Sequence, residues 1–161
     1  MKIRLFLPVV LAALLVLSSA QSVSAFAEIA YDDGTPVATA VATYLGVRFT
    51  PTGTVRAVGA KFHGRPWFAT VSMTFYVTGA DHTTVLLSVP ATISDVGWHT
   101  ITFSNGPIVS GDFYIAIFQS SRHLILSYDA ANNYGRGYYG ESLPGLTNPY
   151  PYGDLMIRAL V

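Results

Sequence analysis

The chain has 161 residues, about half of them hydrophobic, with nine basic and nine acidic side chains and so no formal net charge at pH 7. A charged fraction of 11% and the absence of any basic run exclude the electrostatic footprint that attracts nucleic acid or anionic lipid. There is no cysteine, which excludes disulfides, thiolate nucleophiles and cysteine-ligated metal centres.

Residues 1–25 read as a secretory signal peptide. Lys2 and Arg4 form a short basic start, Leu5 to Leu17 an apolar run too short for an ordinary membrane span, and Val23-Ser24-Ala25 a small-residue cleavage pattern. The expected mature chain is residues 26–161, with seven basic against nine acidic residues, and its expected location is secreted or extracytoplasmic. That segment has no further apolar stretch long enough to span a bilayer as a helix, no lipid-acceptor cysteine and no Asn-x-Ser/Thr sequon. It is long enough to bury a core as one domain.

The dominant hydrophobic period is two, the signature of strands. In chain order, AEIAY (27–31) reads as a short strand. PVATAVATY (36–44) has modest helical character, but its β-branched residues suit a strand or turn as well. TYLGVRF (43–49) and VRAVGAKF (55–62) follow, the latter offering Val58, Ala60 and Phe62 to one face and Ala57, Gly59 and Lys61 to the other. ATVSMTFYV (69–77) alternates most clearly, with Ala69, Val71, Met73, Phe75 and Val77 on one side. TTVLLSV (83–89) places Val85, Leu87 and Val89 together, and WHTITF (98–103) alternates Ile101 and Phe103 with Thr100 and Thr102. GDFYIAIFQ (111–119) is apolar on both faces and reads as a central strand covered twice. HLILSYD (123–129) and DLMIRALV (154–161) complete the set.

Turn signals separate these runs: Asp33-Gly34, Pro51-Thr52-Gly53, Gly79-Ala80-Asp81, Asn105-Gly106-Pro107 and Ser110-Gly111. The pattern predicts an all-β fold, a single antiparallel sandwich of about eight to ten strands over 26–161. A membrane barrel fits poorly, because GDFYIAIFQ and HLILSY lack the polar lumen face that a barrel strand carries.

The segments YDDGT (31–35), YLGVRFTP (44–51), GWHTITF (97–103), VSGDFYIAI (109–117), LSYDAANNYGRGYY (126–139) and DLMIRALV together give residues 28–161 a resemblance to a loose class of jelly-roll-like accessory domains in secreted bacterial and archaeal proteins. The resemblance implies a role in binding, anchoring or stabilising.

NNYGRGYYGESLPGLTNPYPYGD (132–154) holds half of the ten tyrosines. Sugar rings pack their C–H faces on aromatic faces, and tyrosine adds a hydroxyl at low entropic cost. The candidate ligand-binding residues are therefore Tyr134, Arg136, Tyr138, Tyr139, Tyr150 and Tyr152, joined by Trp67 in GRPWFAT, where the chain enters a strand. The same tyrosines also suit a long connection that buries its rings against a sheet. If Tyr138 and Tyr139 lie on extended chain they face opposite ways. Trp98 is expected to be the buried tryptophan of the sandwich.

Asp32, Asp33, Asp129, Glu141 and Asp154 lie beside turns, but no calcium-loop spacing joins them, and the expectation is no metal and no cofactor. Neither GxSxG nor HExxH occurs, and His63, His82, His99 and His123 are scattered, so no catalytic residue is assigned. Ser121, His123 and Asp129 are a catalytic set by residue type alone.

The leading expectation is an exported, non-catalytic binding or adhesion module with a glycan, or failing that a surface protein, as ligand. The alternative is a subunit of a surface or extracellular assembly that self-associates through strand edges or the aromatic loop. A hydrolase is the distant third.

Overall fold

The computed structural model describes residues 26–131 and 133–161; the expected signal peptide lies outside the described residues. They contain fifteen strand segments and no helix. In chain order these are β1 (Glu28–Ile29), β2 (Ala38–Ala40), β3 (Tyr44–Phe49), β4 (Thr54–Arg56), β5 (Gly59–Pro66), β6 (Val71–Gly79), β7 (Val85–Ile93) and β8 (Gly97–Thr102). The remainder are β9 (Ile108–Ser110), β10 (Phe113–Phe118), β11 (Leu124–Asp129), β12 (Gly137–Gly140), β13 (Asn148–Pro149), β14 (Asp154–Leu155) and β15 (Ile157–Leu160). Nine have four residues or more, in line with the expected number. The other six are two or three residues long, too short to display a period in sequence.

All pairings are antiparallel, and two sheets form the layers of a sandwich. The first contains β1, β2, β5, β8, β11, β14 and β15. Phe62 of β5 pairs with His99 of β8 and with Ile157 of β15, so β5 lies between them. Leu126 of β11 pairs with Gly64 of β5 and with Ala40 of β2, which places β2 on the far edge of β11. The second sheet runs β13-β12-β3-β10-β6-β7. A ribbon of β4 and β9 closes one end.

The core is built from the alternation visible in the sequence. Val71, Met73, Phe75 and Val77 of β6 turn inward beside Ile115 and Ile117 of β10, opposite Phe62, Leu124, Leu126 and Ile157 of the other sheet. The Phe62 and Phe75 rings meet across the layers at 5.2 Å. Each large side chain buried in this way stabilises by about 1.5–3 kcal/mol, which is how a cysteine-free chain closes. β10 is the central strand covered twice: its outward Tyr114 and Ala116 lie under Leu143 and Leu146 of the connection after β12. Gly46 on neighbouring β3 makes room for this cover, since a Cβ there would stand 2.8 Å from the Leu146 methyl.

Several segments differ from the expectation. VRAVGAKF is not one strand: Ala57 N–H donates to Pro107 O at 2.9 Å while Val58 N–H donates to Leu160 O at 2.8 Å, so the chain changes partner there and Ala57 and Gly59 are buried. PVATAVATY supplies strand β2. β7 continues through Pro90 to Ile93, which an edge strand permits because its outer N–H row needs no partner. DLMIRALV divides at Met156, which accepts from His63 N–H at 3.0 Å and donates to Ser127 O at 2.9 Å, wedging the chain between β5 and β11. Among the described residues, no helix is long and apolar enough to cross a membrane.

Candidate functional site

Tyr138 and Tyr139 sit on the extended segment β12 and face opposite ways. Tyr138, paired with Gly46, joins the outer face of the second sheet, 5.5 Å from Tyr114 and beneath the Arg48 guanidinium at 5.8 Å. Tyr139, paired with Leu45, faces the sandwich edge, where Tyr150 and Tyr152 arrive from the chain after β13. Tyr150 N–H donates to Gly137 O at 2.8 Å and fixes that arrival. The Tyr150 ring stands 6.3 Å from Tyr139, 5.6 Å from Tyr152 and 5.3 Å from Tyr128 of β11. Tyr139 is 39% and Tyr152 64% exposed, whereas Tyr150 is half-buried. Burial, with Tyr128 and Tyr152 alongside, pushes the Tyr150 hydroxyl up to about 12. The cluster thus has one anchored ring holding two available ones.

These rings line a cleft of about 300 Å³ whose opposite wall is Thr39, Ala40, Val41 and Ala42. That wall is β2 and its continuation, the edge strand of the first sheet. Across β2 lies a second cleft of about 460 Å³, bounded by the same Thr39 and Val41 and by Arg65, Pro66 and Trp67 over Ile125. It occupies the outer face of the first sheet: Ile125 points opposite to the inward Leu124 and Leu126, and pairs with Arg65. Trp67 N–H donates to His123 O at 2.7 Å, and the indole remains 62% exposed. Trp67 therefore shares one surface with Tyr139, Tyr150 and Tyr152, the two parts divided by the ridge of β2.

The other two candidates are held elsewhere. Tyr134 N–H donates to Asp154 Oδ2 at 2.7 Å, and its exposed ring lies 6.4 Å from Tyr31. Arg136 donates to Thr50 Oγ1 at 2.8 Å and covers the Tyr31 ring at 5.1 Å. Asp154 and Asp129 are buried side by side in register and tie the loops into the fold. Asp129 accepts from Ala131 N–H at 2.8 Å and Asp33 N–H at 3.1 Å. Burial raises the Asp154 carboxyl above its ordinary value, opposed by the Tyr134 and Arg136 amides and aided by Asp129 and Asp32.

The carboxylates considered for calcium have other partners. Asp32 takes the Arg158 guanidinium and caps Gly34 N–H at 3.0 Å, Asp33 caps Thr35 N–H at 2.8 Å, and Glu141 takes Arg122 at 2.6 Å and Thr43 at 2.5 Å. Among the described residues no group of three or more histidines and carboxylates is arranged to hold a metal. Ser121 is exposed and His123 packs edge-on against Phe68 at 4.8 Å, at the start of β11, while Asp129 is buried at its end. The serine–histidine pair that does meet is His63 Nδ1 and Ser127 Oγ at 2.8 Å. Ser127 is buried and the His63 ring abuts Trp98 at 5.5 Å, so this bond fastens β5 to β11.

Trp98 itself is half-buried on the outer face of the first sheet, between Arg158 at 4.2 Å and Lys61 at 5.0 Å. Phenylalanines fill the core in its place. Its register partner His63 already points outward, and strand alternation sends Trp98 the same way.

Sequence reasoning missed Thr39, Val41 and Arg65, which the β2–β11 and β5–β11 pairings bring to the aromatic residues. The local signal for Arg65 is the stretch RPW, which sets it two residues before Trp67; Thr39 and Val41 carry none. Compared with known proteins, the chain matches no family model, and no curated protein matches it.

Proposed function

We propose that this protein is an exported, non-catalytic glycan-binding module whose binding surface is the pair of clefts flanking β2. The observation that carries the reading is the convergence of Tyr139, Tyr150 and Tyr152 on one wall of β2 with the exposed Trp67 across it. Aromatic faces accept sugar C–H faces, and the hydroxyls of Thr39 and the tyrosines meet sugar hydroxyls. Mutual ring contacts hold the tyrosines before ligand arrives, so little ordering entropy opposes binding. Clefts open on both sides of a ridge suit an interior stretch of a polysaccharide better than a chain end. The role implied by the resemblance to accessory domains of secreted proteins agrees with this reading.

The test is affinity electrophoresis of the purified protein through gels containing soluble polysaccharides, with pull-down on insoluble ones. Trp67→Ala and Tyr152→Ala, each confirmed folded by circular dichroism, should lose retention about 2- to 10-fold, since a stacked ring contributes about 0.5–1.5 kcal/mol. Absence of retention across the panel, or retention that neither variant alters, refutes the assignment.

A second reading, self-assembly, draws on β7. This nine-residue edge strand has no charged side chain, exposes its own Val85 and Leu86, and shares a cleft with exposed Ile108. Its proline and the irregular register between Val77 and Thr78 both discourage edge pairing, which ranks this reading second. Elution of the purified protein as a monomer in size-exclusion chromatography would dismiss it.

A further inference from the structure

The mature segment has seven cationic side chains, and six of them are engaged. Arg48 faces Asp112 at 3.8 Å, Arg56 donates to Gly106 O at 2.7 Å, and Lys61 meets Glu28 at 3.4 Å. Arg122 grips Glu141, Arg136 donates to Thr50, and Arg158 is shared by Asp32 and Glu28. The Arg65 guanidinium alone makes no hydrogen bond or ion pair among the described residues. It is exposed, and it stands in the wall of the 460 Å³ cleft beside Trp67. Neither cleft has a carboxylate in its lining. Among the described residues, the one uncommitted cation thus lies at the aromatic groove, and no carboxylate in the lining opposes an anion there.

We propose that the groove selects acidic glycans: a sugar bearing a carboxylate or a sulfate ester places that oxyanion on Arg65 while its ring lies on Trp67, and the following sugars cross β2 toward Tyr152. A planar guanidinium matches two oxygens of either group at once, which an ammonium does not. Thr39, exposed and common to both clefts, is placed to meet the sugar hydroxyls where the chain crosses the ridge. This inference rests on the glycan reading, and deepens it by naming the ligand's charge.

The experiment compares backbone-matched polymers in affinity electrophoresis: hydroxyethylcellulose against carboxymethylcellulose, and dextran against dextran sulfate, with polygalacturonate as a natural uronate. The native protein should bind at least one acidic polymer about 2- to 5-fold more tightly than its neutral counterpart at low salt, the range for an ion pair at an exposed site. The preference should shrink as salt is raised. Arg65→Gln should abolish the preference, read as the ratio of acidic to neutral binding, and Arg65→Lys should retain part of it. A Trp67→Ala variant should weaken neutral and acidic binding alike, which separates the groove from general ion exchange. Preference confined to carboxylated polymers identifies uronates, and preference confined to sulfated ones identifies sulfate esters; either supports the proposal. Equal binding of neutral and acidic polymers, or an acidic preference that survives Arg65→Gln, overturns it and leaves the glycan reading standing. Failure to bind any polymer removes both.

Discussion

Replacing Tyr150 by alanine removes a half-buried ring that packs against Tyr128 at 5.3 Å and Tyr152 at 5.6 Å and touches the core between the sheets. A tyrosine buries roughly 150–250 Å² when enclosed. Half of that at about 25 cal/mol per Å² amounts to roughly 2–3 kcal/mol, and the lost ring pairs add about 0.5 kcal/mol or more. The expected cost is therefore about 3 kcal/mol, below the upper end of the range for a full core aromatic. For a chain of this size that corresponds to a fall in Tm on the order of 10 °C, read by circular dichroism at 25–90 °C under reversible conditions (a scan range set by the usual Tm of such domains, about 45–65 °C). Tyr150→Phe should leave Tm unchanged within about 2 °C, because the hydroxyl makes no hydrogen bond among the described residues. Tyr152→Ala should cost no more than about 0.5 kcal/mol, its ring being 64% exposed. Equal Tm shifts for Tyr150→Ala and Tyr152→Ala would refute the division of the cluster into an anchor and an available ring.

Four further outcomes are expected. Leu146→Ala, which empties a fully buried position in the cover over β10, should cost about 3 kcal/mol, with amide exchange accelerated first at residues 141–147. Arg158→Leu strips the guanidinium from Asp32, whose side chain has no exposed surface, and should cost about 3 kcal/mol in urea unfolding; adding Asp32→Asn should recover part of the loss. His63 is held below its ordinary value of 6.5 by burial, with His99 adding to the effect and Asp32 opposing it. The unfolded chain therefore binds the extra proton first, and stability should fall as pH drops below about 6.5, levelling off once the folded-state value is passed; His63→Gln should flatten that slope in a Tm series from pH 7 to pH 5. If residues 1–25 are a signal peptide, mass spectrometry of the protein recovered from the medium or envelope of expressing cells should find a chain beginning at Phe26, and a mass that retains residues 1–25 would refute that reading.

The parts of the fold legible in sequence are those whose environment is set by local alternation. ATVSMTFYV reveals β6 because one face is apolar and the other is not, and GDFYIAIFQ reveals a doubly covered strand because neither face is polar. What sequence withholds is the identity of the cover: Leu143 and Leu146 sit in a stretch without period, and they reach β10 only because Gly46 leaves room for them. The change of partner at Ala57–Val58 and the wedge at Met156 are likewise invisible. Each is a hydrogen-bond exchange with a segment distant in the chain, and the residues themselves carry no mark of it. Pro90 misleads for the opposite reason: proline usually ends a strand, yet on the outer edge of β7 its missing N–H costs nothing.

For the candidate site, residue type suggests a chemistry, and topology decides which residues are free to take part in it. Seven aromatic and basic candidates were readable from composition, yet Arg136 spends its donors on Thr50 and its face on Tyr31, and Tyr138 lies against Tyr114. Arg65 is chemically identical to Arg136, and beyond the nearby Trp67 the sequence gives no reason to prefer it. The difference arises because β11 pairs with β5 on one edge and β2 on the other, so Arg65 is set across Ile125 from the uncharged Thr39 and Val41. Had either position been a carboxylate, Arg65 would have had a partner and the groove no free cation. Thr39→Glu is accordingly the substitution that sets an anion in the same cleft as Arg65: the ratio of acidic to neutral binding should fall to about one, and a preference that survives it would refute the role given to Arg65.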